Sequence, residues 1–250
     1  MRNFISEDDI EQAILQKLEG DPFQYGILRC DPSPDKRELQ PDGTGRSSKK
    51  ECVLPLILRE ALARLNPDIP GEKLEEIARD LCRDFSATDM TTNYKYYNQI
   101  RNGIKISLRR NGKEDFDFVK LVDFDRPENN TFTAVSQMWI QGRVYWRRPD
   151  VLIFINGLPM VFVELKNSIV KVEEAYNDNL KNYLRDIPNL FALNQICVLS
   201  NGLETRLGAF NATYNHFFEW LKVDSDMLKV LSAAIVAIFL AVPYWKGKYI

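Results

Sequence analysis

Arg148-Pro149-Asp150-Val151-Leu152-Ile153-Phe154-Ile155-Asn156-Gly157-Leu158-Pro159-Met160-Val161-Phe162-Val163-Glu164-Leu165-Lys166 is the stretch whose reading decides the fold. Two apolar runs flank Asn156-Gly157, a strong hairpin signal because both residues tolerate the left-handed backbone of a tight turn. Three ionisable residues interrupt this oily hairpin. Asp150 opens the first strand, and Glu164 and Lys166 sit near the end of the second. Period-two geometry puts Glu164 and Lys166 on one face and Val161, Val163 and Leu165 on the other.

Burying two carboxylates and an ammonium among Val, Ile and Phe is costly unless they are paired or bind a cation. Two close carboxylates repel, and a divalent metal removes that repulsion. Hard oxygen ligands in ones and twos, with water completing the shell, suit magnesium. Metal-assisted hydrolysis of a phosphodiester needs these functions and no histidine. The register tests the idea. A strict two-residue turn pairs Asp150 with Val163, on the face away from Glu164. A cation site therefore predicts a three-residue loop, a bulge or a splayed strand start. The plainer reading of the trio is a structural ion-pair network at a sheet edge.

Working outward, residues 114–125, 131–142 and 147–166 are rich in Val, Ile, Phe and Trp and read as strands of one sheet. Upstream, 6–19, 54–65, 71–84 and 89–102 carry helical apolar spacing. Ser6 and Asp9 form a capping-box pattern, and Asn102-Gly103 is a helix stop. Residues 23–29 suggest a short strand, and 31–50 a mobile loop rich in Asp, Pro, Ser and Gly. Downstream, 172–185 is helical, 194–200 a buried strand and 203–209 another. The order gives an α/β fold, a central mixed sheet flanked by helices, with a helical N-terminal part over about 1–110. Val230 to Val242 is almost wholly apolar but too short to span a bilayer; it reads as a buried helix, with a membrane anchor as the alternative.

The balance of 33 Lys and Arg against 35 Asp and Glu over 250 residues leaves a net charge of −2, so a free-standing, salt-sensitive DNA binder is disfavoured. Contact with nucleic acid would use a local patch or partners. Two basic runs qualify: Arg101, Lys105, Arg109, Arg110 and Lys113, then Arg143, Arg147 and Arg148. A solvated surface explains either run as well. A single histidine, His216, excludes multi-histidine zinc sites and reads as a satisfied member of an aromatic cluster. Asp115, Asp117, Asp123 and Asp125 read as a solvated strand face. Tyr94, Tyr96 and Tyr97 read as packing. Cys30, Cys52, Cys82 and Cys197 lack C-x-x-C spacing and suggest reduced thiols in a cytoplasmic protein.

Pro149-Asp150 followed, after a 13-residue gap, by Glu164-Leu165-Lys166 resembles the PD-(D/E)XK nuclease signature. The surrounding text is more specific. It is similar to the nuclease core of the R (restriction) subunit of type I restriction-modification enzymes. Leu54-Pro55 through Arg59-Glu60-Ala61-Leu62, Asn66-Pro67, Leu121-Val122-Asp123-Phe124, Asn129-Asn130, the run from Tyr183 to Phe191 and Leu199-Ser200-Asn201-Gly202 also match, so the resemblance covers about residues 5–220.

The resemblance implies a restriction-endonuclease-like domain over 1–225 with its nuclease core at about 111–210, and an apolar segment of unassigned role at 226–250. It implies Asp150 and Glu164 as metal ligands for Mg2+ and Lys166 as the catalytic lysine. The family's Gln-x-x-x-Tyr helix motif corresponds to Asn179 and Tyr183, with a shorter amide; ordinary helix surface and core is the alternative. An acidic residue of the first helix often completes such sites. Glu11 is the candidate, and a solvated helix position is its plainer reading. The implied function is Mg2+-dependent cleavage of unmethylated double-stranded DNA, with modification (M) and specificity (S) subunits as partners and no membrane. ATP would be used only by motor domains outside this chain, which has no G-x-x-x-x-G-K-[ST] phosphate loop. Two rival readings are a repair nuclease of the same superfamily and a non-catalytic docking domain joining motor and modification subunits.

Overall fold

The computed structural model describes residues 4–38, 42–83, 90–110 and 113–220. The apolar run 230–242, and with it the segment 226–250, lies outside the described residues. A seven-stranded mixed sheet forms the centre, in the order β1 (Gly26–Arg29), β4 (Phe132–Ser136), β7 (Val151–Ile155), β8 (Leu158–Leu165), β9 (Ile196–Ser200), β10 (Thr205–Gly208) and β11 (Phe218–Glu219). β1 and β4 are parallel, as are β8 and β9; the other neighbours are antiparallel.

β7 and β8 lie at the middle of this order and are buried at every position. Their residues alternate between two cores. Val151, Ile153, Ile155, Val161, Val163 and Leu165 join one core with α1 (Glu7–Glu19), α2 (Pro55–Leu65) and α3 (Gly71–Leu81). Leu152, Phe154 and Phe162 join the other. That second core includes the helical run formed by α5 (Val172–Glu174), a π segment (Ala175–Leu180) and α6 (Lys181–Asp186). Helices thus cover both faces of the sheet, which is why its central strands are continuously apolar. Helices form in the expected stretches, α1 over Glu7–Glu19, α2 over Pro55–Leu65 and α3 over Gly71–Leu81, and α4 (Met90–Asn102) ends at Gly103 with φ +84°. The capping box at Ser6 and Asp9 closes in both directions.

Several expectations are corrected. The strand-rich segments do not form one sheet. Among the described residues β2 (Ile104–Arg110) and β3 (Lys113–Val119) pair only with each other, and β5 (Ile140–Gln141) pairs with β6 (Trp146–Arg147). Alternating Asp and Phe in β3 looks like a half-buried strand, yet Phe116 and Phe118 are exposed and the Lys105 ammonium lies 4.2 Å from the Phe116 ring centre. Asp123 is buried, not solvated. It accepts from Asn129 Nδ2 at 2.9 Å and from the Arg126 N–H at 3.2 Å, and its own N–H donates to Asn130. These bonds turn the chain, so residues 121–125 leave the strand. His216 is exposed and pairs with Thr213 Oγ1 at 2.7 Å.

The loop expected to be mobile carries a buried ionic knot. Arg46 donates to Asp42 at 2.8 Å and to the backbone oxygens of Glu51 and Trp139, and Lys49 also pairs with Asp42. The charges compensate each other, which is what allows them to be buried. All four cysteines are free thiols, three buried and Cys82 half-buried. Among the described residues no helix is long and apolar enough to cross a membrane.

Candidate active site

The β7–β8 hairpin turns through two residues, Asn156 (φ +52°) and Gly157 (φ +80°), with Ile155 opposite Leu158. Continued unchanged, that register would place Asp150 opposite Val163. It does not continue. Phe154 faces Pro159 but Ile153 faces Val161, leaving Met160 as an extra residue on β8. This is the bulge a shared site requires. From it onward Val151 faces Val163, so Asp150, one residue before β7, comes opposite Glu164. Directly opposed residues of an antiparallel pair share a face. One inserted residue therefore brings the two carboxylates together.

The contacts agree with the register. Asp150 Oδ2 accepts from the Leu165 N–H at 2.7 Å. Glu164 is 2% exposed; its Oε1 accepts from Asn179 Nδ2 and lies 3.9 Å from Lys166 Nζ. Lys166 Nζ is also 3.8 Å from Glu7 Oε1 of α1. Asn179 lies in the π segment, whose wider turn is a common device at functional sites. Tyr183 packs edge-on against Phe162 and donates its hydroxyl to the Arg148 carbonyl at 3.1 Å. Arg147 clamps Asp186, with Nε–Oδ2 at 2.7 Å, and so ties the end of α6 to β6. With Arg147 so paired, and Arg148 bonded to the Pro32 carbonyl and set over Trp139, these two members of the basic run are engaged within the fold, while Arg143 is exposed.

Glu11 is buried and accepts from Gln137 Nε2. The structure therefore assembles Asp150, Glu164, Lys166, Asn179 and Tyr183 directly, and reaches Glu11 through Gln137. Gln137 and Glu7 were missed by sequence reasoning. No local motif marks Gln137, because its importance comes from a left-handed backbone (φ +56°) at the end of β4.

Electrostatics favour a cation. Burial pushes the Glu164 carboxyl well above its usual range, and the Asp150 charge adds to this against the opposing pull of Lys166, Asn179 and Tyr183. Burial raises Asp150 and Glu11 as well. Glu164 Oε2 is buried with no hydrogen-bond partner among the described residues. An orphaned carboxylate oxygen beside a second carboxylate fits a hard divalent ion. Among the described residues no three His, Cys, Asp or Glu side chains converge as a metal site. An ion here would take two carboxylates and complete its shell with water or neutral oxygens, a pattern usual for Mg2+.

A pH dependence follows. Folded-state values raised above the unfolded ones stabilise the fold fully below the unfolded carboxylate range, near about pH 4, and that contribution is lost as pH rises through the elevated values. The melting temperature of Glu164→Gln minus that of the unsubstituted chain should therefore increase from about pH 5 to about pH 8. Millimolar Mg2+ should raise the unsubstituted chain's melting temperature and leave the variant's nearly unchanged. A difference flat across pH would contradict the electrostatic account.

Residues 4–216 match the family described as the Type I restriction enzyme R protein N terminus. The chain is 32% identical over 224 residues to the type I restriction enzyme HindI endonuclease subunit of Haemophilus influenzae, covering 88% of this chain and 21% of that protein. It is 31% identical over 225 residues to a provisionally assigned type I restriction enzyme MjaIXP endonuclease subunit of Methanocaldococcus jannaschii, covering 87% of this chain and 20% of the relative. A Staphylococcus aureus type I restriction enzyme endonuclease subunit, SauCOLORF180P, is 30% identical over 132 residues, 52% of this chain and 14% of that protein. The chain thus spans about a fifth of the length of the first two relatives.

Proposed function

The chain belongs to the family of type I restriction enzyme R protein N termini, and from that membership we propose that it is the nuclease part of such a subunit, hydrolysing phosphodiester bonds of unmethylated double-stranded DNA with Mg2+. Asp150 and Glu164 would hold the ion. A bound divalent ion would supply Lewis-acid charge stabilisation and an activated water. Lys166, its ammonium 3.9 Å from Glu164, orients the attacking water and offsets charge developing on the phosphate. Asn179 fixes the Glu164 carboxylate by donating to Oε1. Tyr183 anchors the Arg148 carbonyl just ahead of Asp150.

The observation that carries this reading is the bulge at Met160, which turns Asp150 onto the Glu164 face where a buried carboxylate oxygen has no partner among the described residues. ATP-driven motor domains beyond this chain would deliver the DNA, and modification and specificity subunits would supply recognition. That division of labour suits a net charge of −2, since affinity for DNA need not come from this chain alone. Calorimetric titration of the 250-residue chain with MnCl2 and MgCl2 tests the proposal. Binding that disappears in Asp150→Ala is expected. Failure of the unsubstituted chain to bind either ion would favour a docking role.

A further inference from the structure

Gln137 directly follows β4 with φ +56°, a conformation that is strained for a non-glycine residue and persists only where surrounding contacts enforce it. Those contacts all run to acids of the site. Its backbone N–H donates to the Asp150 carbonyl at 2.9 Å. Its side-chain Nε2 donates to Glu11 Oε2, and its amide also lies against the Asp150 carboxyl. The other end of that amide, Oε1, is buried and has no hydrogen-bond partner among the described residues. Two buried acceptors, Gln137 Oε1 and Glu164 Oε2, are thus left unmatched around Asp150. Buried acceptors are rarely left unmatched, so two on residues that flank Asp150 point to a shared missing positive partner.

We propose that Gln137 is a positioning residue of the ion site. Its amide nitrogen holds Glu11 in place, while its amide oxygen faces the hydrated divalent cation held by Asp150 and Glu164. Amide oxygens are ordinary ligands or water acceptors for hard divalent ions, and a neutral oxygen fills a shell that two carboxylates alone leave incomplete. The nitrogen–oxygen polarity of the amide explains why a glutamine suits the position. One end must donate to a carboxylate and the other must accept near a cation.

This inference rests on the proposed ion site, and the test separates the two. MnCl2 titrations would be run on the 250-residue chain and on Gln137→Leu and Gln137→Glu, with thermal melting of each without metal. Supporting residues of metal sites typically contribute roughly 10–100-fold in affinity. Gln137→Leu should therefore bind Mn2+ about ten-fold or more weakly. Gln137→Glu should melt lower without metal, because a carboxylate then faces Glu11, yet gain more on adding Mn2+ than the unsubstituted chain does. A purely structural glutamine would give the lower melt without the larger gain. Equal affinity in Gln137→Leu, or no larger gain in Gln137→Glu, overturns the role of Gln137 while leaving the ion site standing. No binding by the unsubstituted chain removes both.

Discussion

Lys166→Ala, placed in the complete restriction complex, is expected to lose double-strand cleavage by at least about a thousand-fold while keeping Mn2+ binding and the ATP turnover of the motor. The reason lies in what the ammonium touches. It is mostly buried, near one carboxylate oxygen of Glu164 and one of Glu7, and both contacts are long, 3.9 and 3.8 Å. A lysine with a purely structural role would close on its partners at normal hydrogen-bond distance. This one is held near the site at ion-pair rather than hydrogen-bond distance from both acids. Its removal leaves Asp150 and Glu164 in register, so the ion should still bind. Asp150→Ala makes the contrasting case, in which ion binding and cleavage vanish together. Its fold should persist, since the Leu165 N–H loses one acceptor at a strand end. Cleavage by Lys166→Ala at the unsubstituted rate would refute the assigned role, and loss of ion binding in that variant would show that the lysine supports the ligands instead.

Why the trio was legible while its surroundings were not is a matter of periodicity. Asp150, Glu164 and Lys166 stand out because charge is rare in an apolar hairpin, and Asn156-Gly157 marks the turn between them. The register is a different matter. β7 and β8 are buried on both faces, so an extra residue leaves no mark on the hydrophobic pattern. Met160 looks like any other apolar position, yet it decides which face Asp150 occupies. Asn179 was found through resemblance to a helix motif, but the π turn that carries it has no local signature. Gln137 was invisible because a backbone hydrogen bond to the Asp150 carbonyl, just ahead of the neighbouring strand, holds its conformation. β3 misled for the opposite reason: its alternation of Asp and Phe is regular, but its two phenylalanines face outward, and among the described residues no helix covers them.

Gly157→Ala is expected to destabilise the chain by at least about 3 kcal/mol, lowering the melting temperature by roughly 6–12 °C, and to abolish ion binding in the fraction that folds. Two effects act together. The φ of +80° is strained for any residue with a Cβ, and that Cβ would sit 2.6 Å from the Leu54 carbonyl oxygen and 2.8 Å from the Leu58 nitrogen. Both obstacles are backbone, so neither can swing aside. The turn is also the cap of α2. Leu54, the N-cap, offers no side-chain acceptor, and its own N–H donates to the Gly157 carbonyl at 2.9 Å. Pushing the turn off the helix therefore loosens α2 and the β7–β8 register at once, and with the register goes the juxtaposition of Asp150 and Glu164.

Asn156→Gly supplies the control. It keeps the turn geometry but removes an amide that donates to the Leu121 carbonyl at 2.9 Å and to Asn130 Oδ1 at 2.8 Å while accepting from the Thr131 N–H at 2.8 Å. That variant should lose stability through unmatched buried groups but retain Mn2+ affinity, because the hairpin register survives. Chemical denaturation and Mn2+ titration of both variants check the distinction. A Gly157→Ala chain melting within a degree or two of the unsubstituted one would mean that the hairpin and α2 can part without cost, and the turn would then not be what aligns the two carboxylates.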